Sequence, residues 1–255
     1  MKRDIFGVMI DDLDRRTILA QISKRMEQKR RTVIFTPNPI MTQDAKKDPE
    51  LMRILNGSDY NIPDGNGMIL ASRLLKTNLK ERICGIELAE ELLGVSARLG
   101  LRVFLYGGEE GVAKKAADRL KRSCPGLNIC GTQNGFHQDN AEVLKRINAT
   151  RPHVVYVCLG SPKQEKWIRQ NADKLPGAIL FMGLGGSLDV WSGKARRAPK
   201  PIIDLKLEWL WRTLSSRERL CAIPPLCSFS LAVLSEAPFV RLIEHVRKKA
   251  PSPER

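Results

Sequence analysis

The stretch YNIPDGNGM, residues 60–68, sets one carboxylate, Asp64, among glycines in a chain of net charge +15. It stands where a short extended run gives way to the helical pattern MILASRLL. A carboxylate so placed can take a proton from a hydroxyl. It can equally cap the helix that follows, and the two uses compete for the same oxygens. Three more stretches share this character. FTPNP carries Thr36, then Asn38 in position to cap a helix that starts at Pro39. LYGGEEG puts Gly107 and Gly108 at a strand-to-helix turn, where bare backbone N–H groups can meet an anion. GSPKQEKW follows Gly160 with Ser161 as N-cap, Pro162 at the first helical position and Gln164 two further on, a capping-box spacing that would occupy Gln164 with backbone. Each stretch has this local structural explanation. What sets them apart together is that all four leave strands on one edge of one sheet, and converging polar groups there describe a ligand site.

Two other patterns carry less. DDLD, residues 11–14, contains the Asp-x-Asp that can hold a divalent metal on a diphosphate. Here it precedes RRTILAQISKRM, where acids suit a helix N-terminus, so capping accounts for it and no metal is expected. The dinucleotide fingerprint Gly-x-Gly-x-x-Gly is absent. GGEEG and GLGGS both have the wrong spacing, which argues against a nucleotide-linked dehydrogenase.

The elements that must position these residues alternate through most of the chain. DIFGVMI, TVIFT, LRVFLYG, LNICGT, VVYVCLG and AILFMGLG read as strands. Amphipathic runs lie between them, such as GVAKKAADRLKRS with Val112, Ala116, Ala117 and Leu120 at helical spacing. Several strands are nearly continuous apolar runs, as expected when helices cover both faces. The predicted fold is α/β, a Rossmann-like, mainly parallel sheet with helices on both faces. The alternation stops near Gly193, which divides the chain into a core, residues 1–193, and a basic, helical C-terminal appendage, residues 194–255. In the appendage, Leu207, Leu210, Trp211 and Leu214 form an apolar stripe. The uncharged run CAIPPLCSFSLAVL follows, flanked by Arg217, Arg219 and Arg241. It reads either as a terminal helix docked on the core or as an interfacial segment on lipid.

The charge calls for an anionic partner: nucleic acid, an anionic membrane face or a phosphorylated small molecule. From Ser192 to Arg255 there are 13 Lys/Arg against 6 Asp/Glu. With aromatics at 5% and no RNP, KH or zinc-finger pattern, a nucleic-acid-binding protein is disfavoured. Six cysteines without a Cys-x-x-Cys pair, and only three scattered histidines, point to reduced thiols in a cytosolic protein. The apolar stretch between Asp4 and Asp11 is too short for a signal-peptide core. No run reaches the roughly eighteen apolar residues of a membrane span.

In this order, TPNP, IPDGNGM, RICGIEL, LYGG, GSPKQEKW, GLGGSLDVWSGKARRAP and LEWLWR resemble the WecG/TagA/CpsF family of bacterial glycosyltransferases, from about Asp4 to about Arg219. The resemblance implies an inverting transfer of an N-acetylhexosamine from a UDP-sugar to undecaprenyl-diphosphate-linked N-acetylglucosamine. The sugar implied first is N-acetylmannosamine, for the wall teichoic acid linkage unit, and the alternative is its uronic acid, for common antigen or capsule. It further implies a Rossmann-like core, a membrane-meeting appendage at the inner face of the cell membrane, and neither metal nor other cofactor. Residue by residue, the family's proposed base falls on Asp64. Thr36, Asn38, Arg82 and Gln164 match positions lining the sugar and diphosphate pocket. Gly107, Gly108, Gly185, Gly186, Arg212 and Arg219 are the candidates for holding the nucleotide diphosphate. One departure stands out. Where the family often has Glu-Pro and two spaced arginines, this chain has Ser216 and Arg217, then Arg219 in the first arginine position and Ala222 in the second. Oligomeric state is left open, a homo-oligomer included.

Overall fold

The computed structural model describes residues 1–136, 139–195, 199 and 223–249. Its centre is a six-stranded, wholly parallel sheet. The strands are β3 (Thr32–Phe35), β4 (Tyr60–Asn61), β5 (Arg102–Gly107), β6 (Asn128–Gln133), β7 (Val154–Cys158) and β8 (Leu180–Gly183), in the spatial order β4-β3-β8-β7-β5-β6. Alternation within each strand feeds two cores. Val154, Tyr156 and Cys158 of β7 enter one apolar cluster, and Val155 and Val157 enter the other, because successive side chains of a strand point to opposite faces. Helices α1 (Arg15–Glu27), α5 (Gly85–Arg98), α6 (Val112–Ser123) and α9 (Ser187–Ser192) close the first face. The second is closed by α2 (Pro39–Lys47), α3 (Pro49–Asn56), α4 (Asn66–Leu74), α7 (Asn140–Thr150) and α8 (Lys163–Asn171). Both faces are therefore dry, which is why the strands read as unbroken apolar runs.

Three expectations change. DIFGVMI is not one strand but a hairpin, β1 (Lys2–Ile5) against β2 (Val8–Asp11), in a sheet of its own. Phe6 and Gly7 both take positive φ, 54° and 86°. Two such residues make the tight turn whose twist suits a two-residue hairpin loop. The short extended run before PDG pairs only as the two-residue edge strand β4, too short to stand among the strands named from apolar runs. In DDLD only Asp14 caps a helix, accepting from Thr17 N at 2.8 Å. Asp11 instead accepts from Asn61 N at 2.7 Å, and Asp12 from Lys80 N at 3.0 Å and Arg3 Nε at 3.1 Å. These two carboxylates pin the hairpin and the 80s loop to the core.

Within residues 194–255, α10 (Ile223–Lys249) is the described element. Phe229, Val233 and Ala237, one helical stripe, are buried in the direction of α2 and α4. Phe229 meets Phe6 edge-to-face with centroids 5.5 Å apart, and Lys46 pairs with Glu236 at 3.8 Å. This part of the uncharged run thus docks on the core. On its other side Leu231 and Leu234 are 68% and 61% exposed. Among the described residues, no helix is long and apolar enough to cross a membrane.

Candidate active site

Three segments converge where β3 and β4 end. Asp64 N donates to Pro37 O at 3.0 Å and Ile83 N to Pro63 O at 3.0 Å, so the TPNP, PDG and RICG stretches are tied backbone to backbone. The start of α5 presses on Thr36: a Cβ added at Gly85 would lie 2.9 Å from Thr36 Cγ2. Asn38 caps α2 as its type and position predict, accepting from Met41 N at 3.0 Å.

Asp64 is not the N-cap residue of the helix that follows it. Gly65 occupies the N-cap of α4 with no side-chain cap bond. The Asp64 carboxylate turns toward the RICG segment: Gly85 N donates to its Oδ2 at 3.4 Å, and Arg82 Nε lies 3.7 Å from its Oδ1. Both side chains are about a quarter exposed, at 27% and 21%. An acid held between a guanidinium and the first N–H of α5 is oriented and still reachable. The same helix N-terminus and Arg82 present positive charge to anything anionic beside it.

The exits of β7 and β8 form a second group. Helix α8 begins with Pro162 at its N-cap and no side-chain cap bond, so the expected capping box is not made. Gln164 is drawn to the neighbouring strand exit instead. Its Oε1 accepts from Gly185 N at 2.8 Å, and its Nε2 donates to Glu165 Oε1 at 2.7 Å. Gly183 makes room for that amide, since a Cβ there would lie 3.0 Å from Gln164 Nε2. Gln164 is thereby buried, and the Gly185 N–H is given to it rather than turned outward. Gly186 takes the N-cap of α9.

The Gly107–Gly108 turn lies against the end of β7. Gly107 has φ 134°, and a Cβ on it would fall 2.1 Å from Cys158 O. Gly108 N donates to Cys158 O at 3.3 Å, and Gly135 N to Gly108 O at 2.8 Å. Close packing is therefore the first use of these glycines. Arg212 and Arg219 lie outside the described residues. The structure thus brings Thr36, Asn38, Asp64 and Arg82 into one group and joins Gln164 to Gly185 in another, with the glycine turn farther along the same edge.

Two residues here were not picked out from the sequence. Glu165 is fully buried beside Gln164, and its Oε2 has no hydrogen-bond partner among the described residues. Burial, the largest influence, raises its pKa, while the Gln164 amide and the Ser161 hydroxyl pull the other way. The signal available was the acid next to Gln164 within the KQE triplet. Phe136, beyond the end of β6, is 74% exposed on the ligand edge, and nothing in its local sequence marked it.

Comparisons with known proteins bear on the family. The glycosyl transferase WecG/TagA/CpsF family profile matches residues 3–240. An N-acetylglucosaminyldiphosphoundecaprenol N-acetyl-beta-D-mannosaminyltransferase from Bacillus subtilis (strain 168) is 37% identical over 211 residues, 83% of this chain and 82% of its own length. Proteins of the same name are 35% identical in Bacillus spizizenii, over 82% of this chain and 81% of theirs, and 31% identical in Staphylococcus aureus (strain MW2), over 86% and 87%. An α/β sheet with its polar groups gathered at the carboxyl ends of the strands, and a family match over nearly the whole sequence, lead to one conclusion: this chain belongs to the WecG/TagA/CpsF family of glycosyltransferases.

Proposed function

We propose that the protein transfers N-acetylmannosamine from its UDP-sugar to undecaprenyl-diphosphate-linked N-acetylglucosamine with inversion; the names of its relatives give the N-acetylmannosaminyl group and the N-acetylglucosaminyldiphosphoundecaprenol acceptor for them. The observation that carries the reading is the Asp64 carboxylate, held against Arg82 and the N-terminus of α5 at the ligand edge. In the transfer, Asp64 takes the proton from the attacking acceptor hydroxyl. The hydroxyl oxygen bonds to the anomeric carbon from the face opposite the diphosphate. The sugar–phosphate bond breaks, and its electron pair leaves with UDP. Arg82 and the α5 N-terminus stabilise the charge that develops on the diphosphate; Arg212 and Arg219 are assigned the same task. Asp11, Asp12 and Asp14 are engaged by backbone and side-chain donors of this chain, and the positive charge on the departing diphosphate is assigned to arginines and helix N–H groups.

The acceptor places the protein at a membrane surface, and the exposed Leu231 and Leu234 of α10, in a chain of net charge +15, fit an anionic lipid face. The deciding experiment offers a panel of UDP-sugars, the uronic acid included, to wild-type and Asp64→Asn enzymes with a soluble acceptor analogue and EDTA. UDP-N-acetylmannosamine is the expected donor. Asp64→Asn should lower kcat by about a hundred- to ten-thousand-fold while UDP still binds. A fully active Asp64→Asn enzyme sinks the base assignment, and preference for the uronic acid donor moves the protein to the other pathway.

A further inference from the structure

A buried carboxyl with one oxygen unsatisfied is a poor choice for stability. An apolar side chain of that volume would cost less than an acid lacking one partner. Glu165 is such a group, and the amide of Gln164 donates to its Oε1 at 2.7 Å. That amide is polarised end to end. Its oxygen faces the Gly185 N–H, and its nitrogen faces Glu165 Oε1. Rotating the amide by half a turn would set oxygen against oxygen and N–H against N–H, losing both bonds together. The Gly185 N–H and an acceptor at Glu165 together hold the amide in this sense, and Glu165 supplies the side-chain half of that hold.

We propose that Glu165 is a positioning residue for the transfer: it sets the orientation of the Gln164 amide and, through it, the Leu184–Gly186 turn that leaves β8 between the exits of β3 and β7. The inference rests on the transferase reading above for its kinetic readout. Gly185 has φ 51° and is joined to the rest of the site by this bond. Leu184 N also donates to Val157 O at 2.9 Å, so loss of Glu165 loosens the side-chain tie of this turn without freeing its backbone, and the strand exits shift in their mutual alignment. A misplacement of about an ångström is enough to slow a group transfer roughly a hundredfold.

The test compares Glu165→Met, Glu165→Gln, Gln164→Ala and the double variant Glu165→Met/Gln164→Ala in the full chain, with UDP-N-acetylmannosamine and the acceptor analogue. Gln keeps an acceptor oxygen for Gln164 and points its own amide nitrogen at the unsatisfied side, so it should rescue. Expected is a kcat for Glu165→Met lowered at least about tenfold, with the donor KM within about threefold of wild type. Glu165→Gln should stay within about threefold of wild type, and the double variant should be no slower than Gln164→Ala, as for two residues acting through one contact. An unimpaired Glu165→Met, a Glu165→Gln as slow as Glu165→Met, or losses that multiply in the double variant would each overturn the proposal. A second readout needs neither turnover nor the Met variant. In the wild-type protein the Gln164 side-chain amide signal, assigned by its disappearance in Gln164→Ala, should show one hydrogen shifted and protected from exchange. An averaged, unprotected pair overturns the proposal. Wild type inert toward every UDP-sugar sinks the transferase reading, and the amide signal then reports on the lock separately.

Discussion

At the scale of single residues, the polar groups of the candidate site have partners that fix their direction. Asp64 is aimed by Arg82 and Gly85, Asn38 by the α2 N-terminus, and Gln164 by Glu165 and Gly185. The least economical of these arrangements is Glu165, whose burial raises its pKa above the ordinary value of 4.5. The folded protein then keeps a proton that the unfolded chain releases, so stability is fully present below the unfolded pKa and falls as pH rises through the raised folded value. Glu165→Gln removes that titration. In urea unfolding across the acidic to neutral range, the stability of wild type relative to Glu165→Gln should therefore decline with rising pH. A constant difference would mean that Glu165 ionises in the folded state as it does in the unfolded one.

At the scale of elements, the turns that leave the strands do the positioning, and packing dictates their composition. The turn between β5 and α6 contains Gly107 and Gly111, both at positive φ. Of these two it is Gly107 that is crowded, its missing Cβ falling 2.1 Å from the β7 carbonyl of Cys158. At Gly111 nothing lies within 4 Å. Gly107→Ala should thus cost at least about 2 kcal/mol, from overpacking on top of backbone strain, and Gly111→Ala about 1 kcal/mol, from the left-handed backbone alone. Chemical denaturation of the two variants checks the difference, and equal losses would show that φ, not the β5–β7 approach, decides the glycines of this turn.

At the scale of the whole molecule, a dry-faced parallel sheet carries its polar groups at one edge, and α10 packs over α2 and α4. One stripe of α10 serves the core through Phe229, Val233 and Ala237, and another leaves Leu231 and Leu234 in the open. Replacing both exposed leucines with serine should leave the fold intact and reduce binding to phosphatidylglycerol vesicles about tenfold or more, since each leucine withdrawn from lipid forfeits apolar burial. Unchanged vesicle binding in a cosedimentation assay would remove α10 from the membrane contact.

The sequence by itself determined the periodic and the local. Apolar runs of strand length separated by helical stripes dictated the doubly covered sheet. Asn38 before Pro39 dictated the α2 cap, and the strand exits named the edge where the polar groups gather. These follow from spacing along the chain, which sets backbone period and capping directly. Only the tertiary structure decided where the functional side chains point. Asp64 turns to Gly85 and Gln164 to Gly185, each 21 residues away, although the local pattern offered both of them a helix N-terminus close by. DIFGVMI likewise folds back on itself because Phe6 and Gly7 accept positive φ, and part of the uncharged C-terminal run finds its partner in Phe6. A side chain takes the strongest partner within reach, and folding brings within reach residues that spacing alone cannot place.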